Sequence, residues 1–181
     1  MKTIITELPE RDDFCAGNYT IEIGYPWITT GSIMALELIL TPEFKVFEFG
    51  SGGSTIFFSR RCKSVKTLES QISWAEKLKT RSESFPNITL FCEQQQRHLE
   101  IINGEPDNFY DLILIDCDPN NVERILMANA SIRKIKKDGW LVIDNYGAFG
   151  MENFNYTNFE IYSYDDFLWV GKGTRLCKKL V

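Results

Sequence analysis

Lys45-Val46-Phe47-Glu48-Phe49-Gly50-Ser51-Gly52-Gly53-Ser54-Thr55 is the stretch that decides how this chain folds. An apolar run carries one acid, Glu48, and breaks into glycines before a second apolar segment begins. Glycine permits a tight turn and leaves no Cβ where a ligand must lie against the backbone. The first N–H groups of the helix that follows have no intrahelical partner and face whatever fills the cleft. Nineteen positions after Gly50, a further apolar run, Ser64-Val65-Lys66-Thr67-Leu68-Glu69, ends in another carboxylate. That is the offset at which a nucleotide-binding sheet sets an acid beside a pair of ribose hydroxyls.

Two positions choose among nucleotides. A dinucleotide fingerprint needs a third glycine where this chain has Thr55, with Gly53 instead directly beside Gly52. Glu48 stands where such folds have an apolar residue; its carboxylate would repel a pyrophosphate and suit a ligand bearing an ammonium or sulfonium. Here the chain resembles the class I S-adenosylmethionine-dependent methyltransferases. Their acid-x-Gly-x-Gly motif reads Glu48-Phe49-Gly50-Ser51-Gly52, and the acid closing their second strand reads Glu69. The resemblance implies S-adenosyl-L-methionine as cofactor, held by Glu48, Gly50, Ser51, Gly52, Ser54 and Glu69. It also implies an adenine contact at the end of the third strand, which nominates Cys92, Glu93 and Gln94, and a cofactor contact from Asp116 at the end of the fourth. An ordinary strand-to-helix turn without a ligand is the plainer reading of the glycines, and the placement of Glu69 argues against it.

With 181 residues, 44% of them hydrophobic, the chain is long enough for one full core and too apolar for disorder. No apolar stretch approaches 18 residues and Met1–Glu10 lacks a charged-then-apolar leader pattern, so a soluble cytoplasmic protein is expected. Cys15, Cys62, Cys92, Cys117 and Cys177 are scattered without metal-ligand spacing, which reads as buried reduced thiols. A net charge of −5 gives no general attraction to nucleic acid or anionic lipid. The expected partner is therefore a small-molecule acceptor, with no nucleic acid and no membrane; the oligomeric state, a homodimer included, stays open. The basic runs Arg60–Lys63 and Arg133–Lys137 read as helix C-termini, where cations favour the dipole.

Strand-like runs near 45–49, 64–69, 88–92, 111–116 and 140–144 alternate with helical patterns such as Ile72, Ala75, Leu78 and Val122, Ile125, Leu126, Ile132. Asp118-Pro119 reads as a helix start and Gly139 as a helix stop. Thr30 or Ser32 opens a helix through Ile33, Leu36 and Leu40. Such alternation predicts an α/β fold with a doubly wound, mainly parallel sheet. Phe159–Tyr162 and Thr174–Cys177 lie too close for a crossover helix and form an antiparallel edge pair. The resemblance agrees: it implies a seven-stranded sheet whose last strand inserts antiparallel. Residues 30–181 make the cofactor-binding domain, and 1–29 an N-terminal arm or lid.

Asp116, Asp144 and Asn145 end the fourth and fifth strands, and oxygen ligands converging there suit Mg²⁺. They resemble the metal triad of catechol and caffeoyl-CoA type O-methyltransferases, whose lysine base is replaced here by Pro119. The plainer readings are a turn acid and a self-bonding turn. Metal dependence is therefore expected to be weak or absent, with Asp116, Asp144 and Asn145 as the candidate ligands and Asp116 as the one catalytic acid or base. His98, the only histidine, reads as a surface residue turned from the cleft; Trp27 and Tyr146 are the aromatics expected to wall it. The favoured function is methyl transfer to a small molecule at oxygen. A non-catalytic cofactor-binding module and a nicotinamide-dependent oxidoreductase are the alternatives.

Overall fold

The computed structural model describes residues 19–117, 121–166 and 171–181. Two short helical segments open it, α1 (Tyr19–Ile23) and α2 (Thr30–Ile39). Strands and helices then alternate: β1 (Lys45–Phe49), α3 (Gly53–Ser59), β2 (Ser64–Glu69), α4 (Ile72–Ser82), β3 (Ile88–Cys92), α5 (Gln95–Gly104), β4 (Tyr110–Ile115), α6 (Asn121–Ile132) and β5 (Ile135–Asp144). A 3₁₀ turn at Met151–Asn153 leads to β6 (Phe159–Asp165) and β7 (Gly173–Lys179). All seven strands form one sheet in the order β3-β2-β1-β4-β5-β7-β6. The pairs from β3 to β5 are parallel, and β7 lies antiparallel between β5 and β6. The doubly wound sheet with its antiparallel edge pair is thus the one expected.

Strand periodicity builds two cores. Phe47, Phe49, Ile113, Ile115, Leu141 and Ile143 face Ile102 of α5 and Met127 and Ala128 of α6. The alternate residues Val46, Leu112, Leu114, Val142 and Leu176 face α2 and α3 through Ile33, Leu36, Phe57 and Phe58. Strands covered on both faces read as unbroken apolar runs, which is why the central ones were legible. From β1 the chain winds outward through β2 to β3 and then crosses back to β4. The crevice between β1 and β4 is therefore the switch point at which such sheets bind ligands.

Three expectations change. Gly139 stops no helix: α6 ends at Ile132 and β5 begins at Ile135, so Gly139 lies inside a strand. It follows Asp138 at φ 63°, and a Cβ on it would come 3.0 Å from the Asp111 carbonyl oxygen. The run Arg133–Lys137 likewise enters β5, with Lys134 and Lys136 ion-paired to Asp107 and Asp111 at 2.7 and 2.6 Å. Cys92 is exposed, whereas Cys62, Cys117 and Cys177 are buried thiols in no disulfide. Cys15 and the Asp118-Pro119 helix start lie outside the described residues. The described part of the expected arm, 19–29, packs into the body through buried Thr20, Ile21, Ile28 and Thr29. Among the described residues no helix is long and apolar enough to cross a membrane.

Candidate functional site

The three glycines after β1 do three different things. Gly50 has φ +88°, and a Cβ there would stand 2.0 Å from the Asp116 carbonyl oxygen. It clears the backbone of the neighbouring strand end, not ligand space as the sequence suggested. At Gly53 a Cβ would meet the carbonyl oxygens of Tyr25 and Thr20 at 2.0 and 2.2 Å. This glycine lets α1 and the segment after it close over α3. Gly52 alone opens outward: its backbone is extended, and a Cβ would find only the Trp74 indole at 3.5 Å. That Cβ would project into a cavity of about 330 Å³, within the usual range for small-ligand sites. The cavity is walled by residues 50–54 of the turn, by 68–71 at the end of β2, and by Thr20, Trp27, Trp74, His98, Asp116 and Cys117.

Thr55, the departure from the dinucleotide pattern, has a specific partner. Its hydroxyl accepts from the Gly52 N–H at 3.0 Å and donates to Glu48 Oε2 at 2.5 Å. Glu48 is fully buried behind the turn and does not line the cavity. Its Oε1 is buried with no partner at hydrogen-bond geometry. Burial pushes the carboxyl from 4.5 up to about 7, against the pull of the Ser54, Thr55 and Thr67 hydroxyls and with some help from Glu69. The turn is thus wired to a carboxyl that holds its proton near neutrality.

Glu69 does reach the cavity. Its Oε2 accepts from the Ser51 N–H and hydroxyl at 3.0 and 2.9 Å, and its Oε1 from the Ser70 and Gln71 N–H groups, each at 2.8 Å. A carboxylate has about four acceptor sites, so Glu69 is saturated by donors that fix its orientation. The Ser51 carbonyl accepts the indole N–H of Trp74, from the first turn of α4. The sequence reading missed Trp74; its signal was an aromatic within one helical turn of a predicted strand-end acid.

Asp116, Asp144 and Asn145 do come together at the ends of β4 and β5, but around a residue of the chain itself. Arg124 of α6 is buried with its Nε and Nη2 donating to the Cys117 carbonyl. Its Nη1 donates to the Asp144 carbonyl at 3.1 Å and to Asn145 Oδ1 at 3.3 Å, and its Nη2 stands 3.8 Å from Asp116 Oδ1. Asp144 Oδ1 accepts from the Thr174 hydroxyl at 2.7 Å, toward β7. The residues therefore do not fit Mg²⁺: a guanidinium fills the converging oxygens. Among the described residues no group of three His, Cys, Asp or Glu is placed to hold a metal ion. Asp116 itself faces the cavity, and burial followed by Asp144 drives its carboxyl well above the ordinary range, against Arg124.

The remaining candidates divide. Gly50, Ser51, Gly52, Ser54, Glu69 and Asp116 line the cavity; Glu48, Cys92, Glu93 and Gln94 do not. His98 is not a surface residue. It is 1% exposed, reaches the cavity wall, and donates its Nε2–H to the Glu93 carbonyl at 3.0 Å, with burial lowering its pKa. The polar stretch Gln94-Gln95-Gln96 around it hid the fact that α5 turns this position inward, against Phe49. Trp27 walls the cavity as expected, whereas Tyr146 is buried elsewhere, donating its hydroxyl to Asp165 at 2.5 Å.

No protein-family model and no curated protein sequence matches this chain. Solved structures do. The O-methyltransferase TomG from Streptomyces achromogenes, involved in tomaymycin synthesis and solved with SAM, is 14% identical with a TM-score of 0.70, covering 97% of this chain and 93% of its own. An rRNA methylase from Streptococcus thermophilus is 16% identical with a TM-score of 0.64, over 80% of this chain and 91% of its own. A Streptococcus mutans protein in complex with SAH is 16% identical with a TM-score of 0.61, over 79% and 92%. At these identities the likeness is one of backbone architecture. The chain has the Rossmann-like fold of the class I S-adenosylmethionine-dependent methyltransferases.

Proposed function

We propose that this chain is an S-adenosylmethionine-dependent methyltransferase acting on a small-molecule acceptor, at oxygen. One observation carries the reading: Glu69 is clamped at the switch point by four donors, beside the Gly52 surface that a single Cβ would fill. The donor set suits the ligand. The Ser51 hydroxyl can rotate away from Glu69 and free an acceptor site for a ribose diol. Glu69 and Asp116 line the cavity, and no lysine or arginine among the described residues does, which makes the region favourable to a ligand carrying positive charge. That composition disfavours the pyrophosphate of a nicotinamide cofactor.

The cofactor, when bound, supplies an electrophilic methyl on a leaving sulfide. The chain's own part is to bind, align and exclude water. Alignment of this kind can lower a barrier by about 7–11 kcal/mol. The glycine turn and Glu69 would hold the nucleoside, and Trp27 and Trp74 would screen the cavity from solvent. Asp116, at the inner wall, would accept the acceptor hydroxyl's proton or orient that hydroxyl. His98 also reaches the wall, but its Nε2 is held by the Glu93 carbonyl, which leaves Asp116, with its carboxyl raised by burial, to take the role. Titration calorimetry with S-adenosylhomocysteine and with NAD tests the reading. Micromolar binding of the former that is lost in Glu69→Ala is expected; preference for NAD, or unchanged affinity in Glu69→Ala, refutes it. An acceptor screen that includes phenols, carboxylates and rRNA then tests the small-molecule assignment.

A further inference from the structure

We propose that Arg124 is the resident cation of this site, a fixed guanidinium standing where strand-end oxygens would otherwise gather a divalent ion, so that the cavity works without a metal. A guanidinium offers five N–H donors in a rigid fork. Here four hydrogen bonds tie it to the Cys117 carbonyl, the Asp144 carbonyl and Asn145 Oδ1, and the remaining Nη2 proton faces Asp116 at 3.8 Å. The Phe149 ring covers it at 5.1 Å. Every oxygen it touches belongs to the end of β4 or β5, and two of those residues, Asp116 and Cys117, wall the cavity.

The charge balance explains why a cation is needed. Glu48, Glu69, Asp116 and Asp144 all act electrostatically on this region, and Arg124 is the positive charge set against them. Four carboxyl groups around one crevice would otherwise repel one another, or draw in a divalent ion whose preferred ligands are these same oxygens. A guanidinium supplies +1 in a planar arrangement and a divalent ion +2 with more ligands. The chain has therefore traded Lewis acidity for fixed geometry. Arg124 does not itself line the cavity and is a positioning residue, acting through Asp116 and Cys117.

The prediction is that removing the guanidinium uncovers an ion site. Manganese binding, followed by the electron paramagnetic resonance signal of free Mn²⁺, is compared in the wild-type chain, Arg124→Ala and Arg124→Gln. Relief of cation–cation repulsion at such distances should raise Mn²⁺ affinity by at least about tenfold in both variants, and Asp116→Asn added to either should abolish the gain. Methylguanidinium should displace the ion and restore the melting temperature of Arg124→Ala. A purely structural arginine would lower the melting temperature without creating an ion site. If Arg124→Ala does not fold, Arg124→Gln keeps one of the hydrogen bonds and answers the same question. No gain in Mn²⁺ affinity overturns the inference, as does wild-type S-adenosylhomocysteine binding that strengthens tenfold with Mg²⁺ over EDTA. The inference stands apart from the methyltransferase reading: failure of the wild type to bind S-adenosylhomocysteine refutes that reading and leaves the Mn²⁺ comparison intact.

Discussion

Glu48→Gln should make the protein more stable at alkaline pH and less able to hold a cationic ligand. The carboxyl is fully buried, its Oε2 takes the Thr55 hydroxyl at 2.5 Å, and its Oε1 has no hydrogen-bond partner. Folding raises its pKa from 4.5 to about 7. Below 4.5 both folded and unfolded chains keep the proton and the group costs nothing. Between 4.5 and 7 the unfolded chain loses the proton first, so stability falls as pH rises; above 7 the loss is complete. At about 1.4 kcal/mol per pKa unit the cost at pH 8 is on the order of 3 kcal/mol. A glutamine keeps the acceptor for Thr55 and replaces the orphan oxygen with an amide nitrogen near the Thr67 hydroxyl, itself buried without a partner. Urea unfolding of both proteins from pH 4.5 to 8.5 is the assay, and the difference curve isolates this residue. Glu48→Gln should equal the wild type near pH 4.5 and exceed it by about 3 kcal/mol at pH 8. A difference that stays flat across the range would refute the assignment. A second signature follows if a cationic ligand favours the ionised form: binding at pH 7 should release protons from the wild type and not from Glu48→Gln, seen as buffer-dependent heats.

Gly52→Ala should abolish S-adenosylhomocysteine binding while the circular dichroism and melting temperature stay near wild type, since its Cβ meets only the Trp74 ring in the open cavity. Gly50→Ala should instead lose the fold, because its Cβ would stand 2.0 Å from the Asp116 carbonyl; a well-folded Gly50→Ala would contradict the turn geometry. Glu69→Ala should lose binding and also stability, since four donors lose their acceptor at roughly 1–3 kcal/mol for each one left buried and unpaired. Trp74→Phe, which removes the donor to the Ser51 carbonyl, should weaken binding by about 1 kcal/mol in calorimetry, with little change in the melting temperature.

The sheet was legible because its signals are local: apolar runs, a glycine turn and a strand-end acid all act within a few residues of themselves. Glu69 illustrates this for its Oε1 partners Ser70 and Gln71, which are adjacent, whereas Ser51, 18 positions away, meets it only through the fold. The purposes of Gly50 and Gly53 were not legible, because the atoms they avoid come from β4 and from residues 20–25. Arg124 was invisible for the same reason. On α6 it follows Glu123 in a mixed polar and apolar helix, and only the meeting of two strand ends reveals what it holds. His98 was misplaced because a polar neighbourhood in sequence is a weak guide to which face of a short helix points inward. Gly139 misled because a helix stop and a strand irregularity both call for glycine.

The position of β7 carries a consequence for how the protein comes into being. The last strand lies between β5 and β6, and its Thr174 hydroxyl accepts from the Thr29 N–H at 3.2 Å while donating to Asp144 at 2.7 Å. Segments separated by 145 positions therefore meet at one oxygen. On a ribosome, β1 to β5 emerge in order and can assemble as they appear, but β5 keeps an open edge until β7 leaves the exit tunnel. Until β7 is made, the flank of β5 beside Asp144 stays open, so a chain cut short before β7 would carry five parallel strands with an exposed edge.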